Sequence, residues 1–187
     1  MSSFELATPR LLLRDWQPDD RPAFAAMNAD PEVMEFLSSP LRAEDSDALA
    51  ERFEAEFARR GFCPWAVEER KSGDFIGFIG LHEVPKYLSF APAVEVGWRL
   101  ARRFWGRGFA TEGASASVAL AFGDLGIGEL VSMTALLNVR SQRVMERLSM
   151  RRDPAEDFEH PRVPEESELR RHVLYRLSAV DGLAGRR

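Results

Sequence analysis

The run Arg102-Arg103-Phe104-Trp105-Gly106-Arg107-Gly108-Phe109-Ala110-Thr111-Glu112 does most to limit what this chain can fold into. Val94 to Leu100, before it, alternates like a strand, and Ala110 to Phe122, after it, reads as a helix. Between them lies a tight, glycine-bearing turn that feeds a strand into a helix N-terminus. Such a turn directs unpaired backbone N–H groups toward one point, and the helix dipole adds partial positive charge there. Anions bind at such places, phosphate groups above all. Arg99, Arg102, Arg103 and Arg107 crowd the same stretch, with no Asp or Glu between Glu95 and Glu112. The helix is rich in small residues, among them Gly113, Ala114, Ser117 and Ala121, so it can lie close to a sheet. A glycine turn that only ends a strand would use the same residues. Two familiar glycine patterns are excluded: the dinucleotide fingerprint fails at Thr111, and no Gly-Lys-Ser/Thr follows as a P-loop requires.

Length and charge bound the rest. The chain has 187 residues and a formal net charge of −5. This length suits one domain, expected over residues 1–178, with residues 179–187 as a flexible tail. The acidic balance argues against a general nucleic-acid binder and suits an amine-bearing partner. The single cysteine, Cys63, excludes an internal disulfide. No apolar run approaches membrane-spanning length and no signal-peptide pattern opens the chain, so a cytoplasmic protein without a membrane partner is expected. His82, His160 and His172 lie far apart and no His or Cys pair stands at ligand spacing, so no metal site is expected. Homodimerisation stays open.

Read in order, Leu11 to Arg14 is a first strand, and Pro18-Asp19-Asp20 opens a helix. Asp30-Pro31-Glu32 restarts a short helix through Leu37, and a longer one runs from Glu44 to Arg60 with Gly61 as its left-handed cap. Leu49, Phe53 and Phe57 give that helix an apolar side. Trp65 to Glu69 and Phe75 to Leu81 make a hairpin around Ser72-Gly73, and Gly77 and Gly80 mark a bulge or close packing. Val131 to Ala135 is a strand. Asn138 to Leu148 is a helix with Val144 and Leu148 facing inward. Residues 153–170 form a long loop, and Arg171 to Leu177 is the last strand.

Trp105-Gly106-Arg107-Gly108-Phe109-Ala110 resembles the acyl-CoA pyrophosphate loop of the GNAT superfamily of N-acyltransferases, whose pattern is Gln/Arg-x-x-Gly-x-Gly/Ala. Trp105 departs from it, and a Trp-Gly-x-Gly-aromatic-Ala-Thr-Glu run looks like the branch that holds the ribosomal-protein N-terminal acetyltransferases. The opening Thr8-Pro9-Arg10 is similar to that branch too, and the Asn138, Ser141, Val144, Leu148 pattern resembles the superfamily's second helix. The resemblance spans about Thr8 to Leu177. It implies an α+β fold, with a mostly antiparallel central sheet splayed at the acyl-CoA site and flanked by helices. It also implies acetyl transfer from acetyl-CoA to a primary amine, either a protein or peptide N-terminus or a small basic amine. Trp98, Arg99, Leu100, Arg103, Trp105, Gly106, Arg107, Gly108, Phe109, Ala110, Thr111 and Asn138 would then contact acetyl-CoA.

Many members place a Tyr where this chain has Met145, which cannot protonate a leaving thiolate. The branch with Trp at the loop uses a Ser instead, and Ser141 matches. On local grounds Asn138 is equally a helix N-cap supported by Ser141. Glu95 alternates with Gly97 and Arg99 along its strand and is the candidate base, with an ion pair as its structural alternative. The family's other base position is Met133. A backbone N–H between Trp98 and Leu100 would stabilise the thioester oxygen. Ser149 stands where a Gly usually ends the second helix, so that turn is strained or differently closed. Met145 and Ser149 also suit the other reading, a catalytically weak acyl-CoA sensor or scaffold.

Overall fold

The computed structural model describes residues 4–37 and 39–184. In chain order it contains β1 (Glu5–Ala7), β2 (Leu11–Arg14), α1 (Arg21–Ala29), α2 (Ala43–Arg60), β3 (Pro64–Glu69), β4 (Asp74–Glu83) and β5 (Val94–Leu100). There follow α3 (Phe109–Phe122), β6 (Glu129–Ala135), α4 (Val139–Arg147), β7 (Arg151–Arg152), β8 (Phe158–Glu159), β9 (Arg171–Ser178) and α5 (Ala179–Ala184). The result is a mixed α+β fold with a mostly antiparallel open sheet, as the resemblance implies.

The chain divides into two compact units. The first holds the residues up to His82 together with Gly97–Ser117; the second holds Glu83–Val96 and the residues from Val118 onward. β5 contributes its C-terminal half to the first unit and Val94–Val96 to the second.

In the first unit β1, β2, β3 and β4 pair antiparallel in sequence order. The β3–β4 register slips at Val67/Glu68, where Val67 faces Gly77 and Glu68 faces Phe75, leaving Ile76 as the extra residue of a bulge. Gly77 has φ +141, and a Cβ there would lie 2.1 Å from the Arg99 carbonyl oxygen, so the expected close packing is backbone against backbone. α1 and α2 close over this sheet through Trp16, Phe24, Met27, Ala50, Ala66 and Phe78, with Leu49 and Phe53 packed against that cluster. Gly61 caps α2 in the left-handed region as expected, its N–H donating to the Phe57 carbonyl. The segment Asp30–Leu37 is a succession of turns rather than the expected helix. The Asp30 carboxylate takes the Glu32 N–H, a local turn that competes with helix continuation.

In the second unit β5 pairs parallel with β6, joining Val94 to Leu130 and Glu95 to Val131, and β6 pairs antiparallel with β9. Val84, Leu88, Val131 and Leu174 form its core with Phe90 and Phe158 alongside. The expected loop at 153–170 carries β8 on β9, and β7 pairs with β9 as well. On α4 the inward residues are Gln142, Met145 and Leu148, while Val144 is only half-buried. The tail expected to be loose from Ala179 begins as α5, with a Cβ at Gly182 falling 2.5 Å from the Phe122 ring. Residues 185–187 lie outside the described residues.

Candidate active site

The turn after β5 bends through two left-handed glycines. Gly106 and Gly108 adopt φ +72 and +79, a region that side chains with a Cβ enter at a cost. The backbone bonds nearest the turn are Trp105 N–H to Arg102 O and Glu112 N–H to Gly108 O. Among the described residues, no protein acceptor meets the N–H groups of Gly106, Arg107, Gly108, Phe109, Ala110 or Thr111. Such a string of free donors at a helix start is what a pyrophosphate needs.

Trp105 fixes this turn to the strand. Its indole Nε1 donates to the Leu100 carbonyl at 2.7 Å, and Arg102 stacks over its ring at 5.1 Å. This gives the departure from Gln or Arg a structural reason. Gly113 lets α3 lie against the sheet, where a Cβ would come 2.4 Å from the Ile79 Cδ1 methyl.

The arginines are not the open positive patch that their spacing suggests. Carboxylates distant in sequence meet them: Glu32 on Arg102 at 2.7 Å and Glu69 on Arg107 at 2.6 Å. Arg103 is exposed, lies against the Phe104 ring, and has no acid partner among the described residues. Arg99 is drawn out of the turn: its Nη1 donates to Asn28 Oδ1 at 2.7 Å.

Sequence reasoning missed Arg10 and Glu112 as braces of the turn. Glu112 accepts from the Thr8 hydroxyl at 2.6 Å, from the Arg10 N–H at 2.9 Å and from Arg10 Nε at 2.6 Å. Arg10 Nη1 then donates to the Arg107 carbonyl, and the guanidinium covers Phe109. Burial opposes ionisation of Glu112, yet the Thr8 hydroxyl and the Arg10 donors together hold its carboxyl below the usual range. The Thr8-Pro9-Arg10 motif and Glu112 were both visible in the sequence; their pairing was not.

Glu95, Asn138 and Ser141 belong to the second unit. Glu95 is buried, 6% exposed. Asn138 caps α4: its Oδ1 accepts from Ser141 N–H at 3.2 Å, and its Nδ2 donates to Thr134 Oγ1 at 2.9 Å and to Ser141 Oγ at 3.1 Å. The capping role weighed for Asn138 is therefore present in full. A serine hydroxyl that accepts from Asn138 keeps its own proton for another partner. Met145 is buried in the core, 1% exposed. Ser149 sits at φ +63, with its N–H on Glu146 O and the Met150 N–H on Met145 O, a closed left-handed helix ending built without glycine.

The strand, the glycine turn and the close-packed small-residue helix sit within a mixed α+β fold. Residues 10–151 match the acetyltransferase (GNAT) domain, and the chain belongs to that family. It is 31% identical over 147 residues to the FsC-acetyl coenzyme A-N(2)-transacetylase of Aspergillus fumigatus, covering 75% of this chain and 62% of that protein. In fold it is similar to a GNAT-family acetyltransferase from Bacillus anthracis, with TM-score 0.78 and 21% identity over 95% of this chain and 99% of that one. The fold is also similar to RimL, a ribosomal L7/L12 alpha-N-protein acetyltransferase, with TM-score 0.77 and 13% identity over 95% of this chain and 96% of that one. The protein is an acetyl-CoA-dependent N-acetyltransferase.

Proposed function

We propose that the Trp105–Thr111 turn receives the pyrophosphate of acetyl-CoA, and that the acetyl group passes directly to a primary amine of a peptide N-terminus or a small molecule in the cytoplasm. The observation that carries this reading is the set of consecutive N–H groups at the start of α3 without acceptors among the described residues. The amine nitrogen attacks the thioester carbon, the C–N bond forms as the C–S bond breaks, the amine loses a proton and the thiolate gains one. Glu95 takes the first proton, directly or through water. The Ser141 hydroxyl, supported from behind by Asn138 Nδ2, donates toward the departing sulfur. A lysine side chain is only ~0.04% neutral at pH 7, whereas an α-amine is roughly 10% neutral, so α-amines ask less of the base.

The test follows free-thiol release from acetyl-CoA across matched peptides with either a free N-terminus or only an internal lysine. Faster turnover on the free N-terminus is expected. Equal or faster turnover on the lysine peptide would remove the α-amine preference.

A further inference from the structure

Arg99 differs from the arginines around it: of the two without an acid partner among the described residues, Arg103 is exposed and Arg99 is not. Arg10, Arg14, Arg21, Arg102 and Arg107 each pair with a carboxylate. Arg99 meets no carboxylate among the described residues. Its Nη1 donates to the neutral Asn28 Oδ1 at 2.7 Å, and its guanidinium carbon lies 5.3 Å from the Phe78 ring centroid. Asn28 is wholly buried on α1 and is itself fixed by donating to the buried Ser46 Oγ on α2 at 2.7 Å. The cation is thus held in one place by neutral groups. Burial pushes it down to about 10, which still leaves it charged at neutral pH.

A cation withdrawn from water without a counter-ion is costly, and structures keep such a group where an anion arrives to meet it. A guanidinium has five N–H donors in a rigid fork, and among the described residues one Nη is engaged. Arg99 is half-buried, so part of the residue reaches accessible space. Gly97 precedes Arg99 on the same face of β5. The His82 ring packs beside it: a Cβ at Gly97 would lie 3.6 Å from His82 Nε2, in ordinary contact.

We propose that Arg99 recognises a carboxylate carried by the acceptor, which makes the substrate class amines that also bear a carboxylate. The fork matches a carboxylate in bidentate fashion, which a lysine would not. In the reading above, which this inference extends, the phosphates of acetyl-CoA already have the backbone cradle. Arg99 is tied instead to α1 through Asn28. A free amino acid and a peptide beginning with an acidic residue present the same chemistry.

The experiment uses the full chain with acetyl-CoA and two matched substrate pairs: an amino acid against its primary amide, and a peptide beginning with Glu against one beginning with Gln. Binding of the same pairs is titrated calorimetrically with coenzyme A present. Wild-type protein should favour the carboxylate member of one pair by at least about tenfold in kcat/KM, and that pair names the source. Arg99→Gln should bring the two members to within about twofold of each other, mainly through KM. Asn28→Asp places a carboxylate on the same guanidinium and should erase the preference while the cation remains, so a folding defect in one variant does not decide the matter. Three outcomes overturn the proposal: no preference in wild type by rate or binding, a preference that survives both variants, or a fall in acetyl-CoA affinity in Arg99→Gln that accounts for its lost activity. If no amine turns over but the binding preference is present and Arg99→Gln removes it, the carboxylate site stands and the assignment of this acceptor chemistry to acetyl transfer falls.

Discussion

Ser141 contributes to the α4 cap through its backbone N–H, so removal of its hydroxyl leaves the Asn138 Oδ1 bond in place. Ser141→Ala is therefore expected to lower kcat by at least about tenfold, with acetyl-CoA affinity measured by calorimetry little changed. Glu95→Gln should depress kcat near neutral pH and alter the acidic limb of the pH–rate profile. If both variants turn over at the wild-type rate with the same profile, neither residue is catalytic. Ser149 makes a separate prediction. It occupies the left-handed region at φ +63 with its helix-ending hydrogen bonds intact, so the strain lies in its Cβ and not in missing bonds. Ser149→Gly should relieve about 1 kcal/mol of that strain, partly offset by the greater freedom of glycine in the unfolded chain. The readout is the denaturation midpoint, and a lower midpoint in the glycine variant would contradict it.

The turn and α3 work together as an element. Gly106 and Gly108 turn the backbone through the left-handed region, Trp105 ties the turn to the end of β5, and Arg10 with Glu112 braces it from the strand side. Because the cradle is made of backbone, it depends on the conformation at Gly108 more than on any single arginine. Around Gly108 there is room for a small side chain, since a Cβ there would meet only Arg10 Nη2, at 3.4 Å. The obstacle is φ +79, which a β-branched residue avoids. Gly108→Val should abolish measurable acetyl-CoA binding while the far-ultraviolet spectrum stays that of the folded protein. Unchanged affinity in a calorimetric titration would falsify the assignment of the cradle.

At the scale of the whole molecule, each unit carries groups whose ionisation is coupled to folding. In the first unit Glu112 is held below its ordinary 4.5, burial opposing and the Thr8 and Arg10 donors prevailing. In the second, the Arg152 guanidinium beside Asp157 holds that carboxyl below its ordinary 3.8 despite burial. A depressed carboxyl stabilises the fold above its unfolded pKa, and this is lost as pH falls through the folded value. His160 and His172 act earlier. Burial pushes both imidazoles below 6.5, so the unfolded chain binds their protons more readily and stability starts to fall below that pH. The melting temperature should therefore decline in two stages on acidification, below about pH 6.5 and again below about pH 4.5. Glu112→Gln should flatten only the lower stage and His172→Gln only the upper one. A single stage, unaltered by either variant, would show that other groups control acid stability.

What the sequence determined by itself is local. The glycine turn, the small-residue helix after it, the Gly61 cap, the bulge at Gly77 and the Asn138–Ser141 cap all act over a few neighbouring residues, and each is found where its residues stand. The strands β1, β7 and β8, of two or three residues each, were not legible, because a partner strand and not their own composition makes them strands. The fate of the arginines was not legible either. Their spacing announced a positive patch, but Glu32 and Glu69 return from distant elements to neutralise Arg102 and Arg107. Arg99 is fixed by Asn28, 71 positions away, and Glu112 is braced by Thr8, 104 positions away. Backbone dihedral preferences are carried by each residue and its neighbours, whereas the counter-ion of a charge is whatever the fold brings beside it. That is why the glycine turn could be read from the chain, while the pairing of Arg99 with the neutral Asn28 appeared only in the tertiary structure.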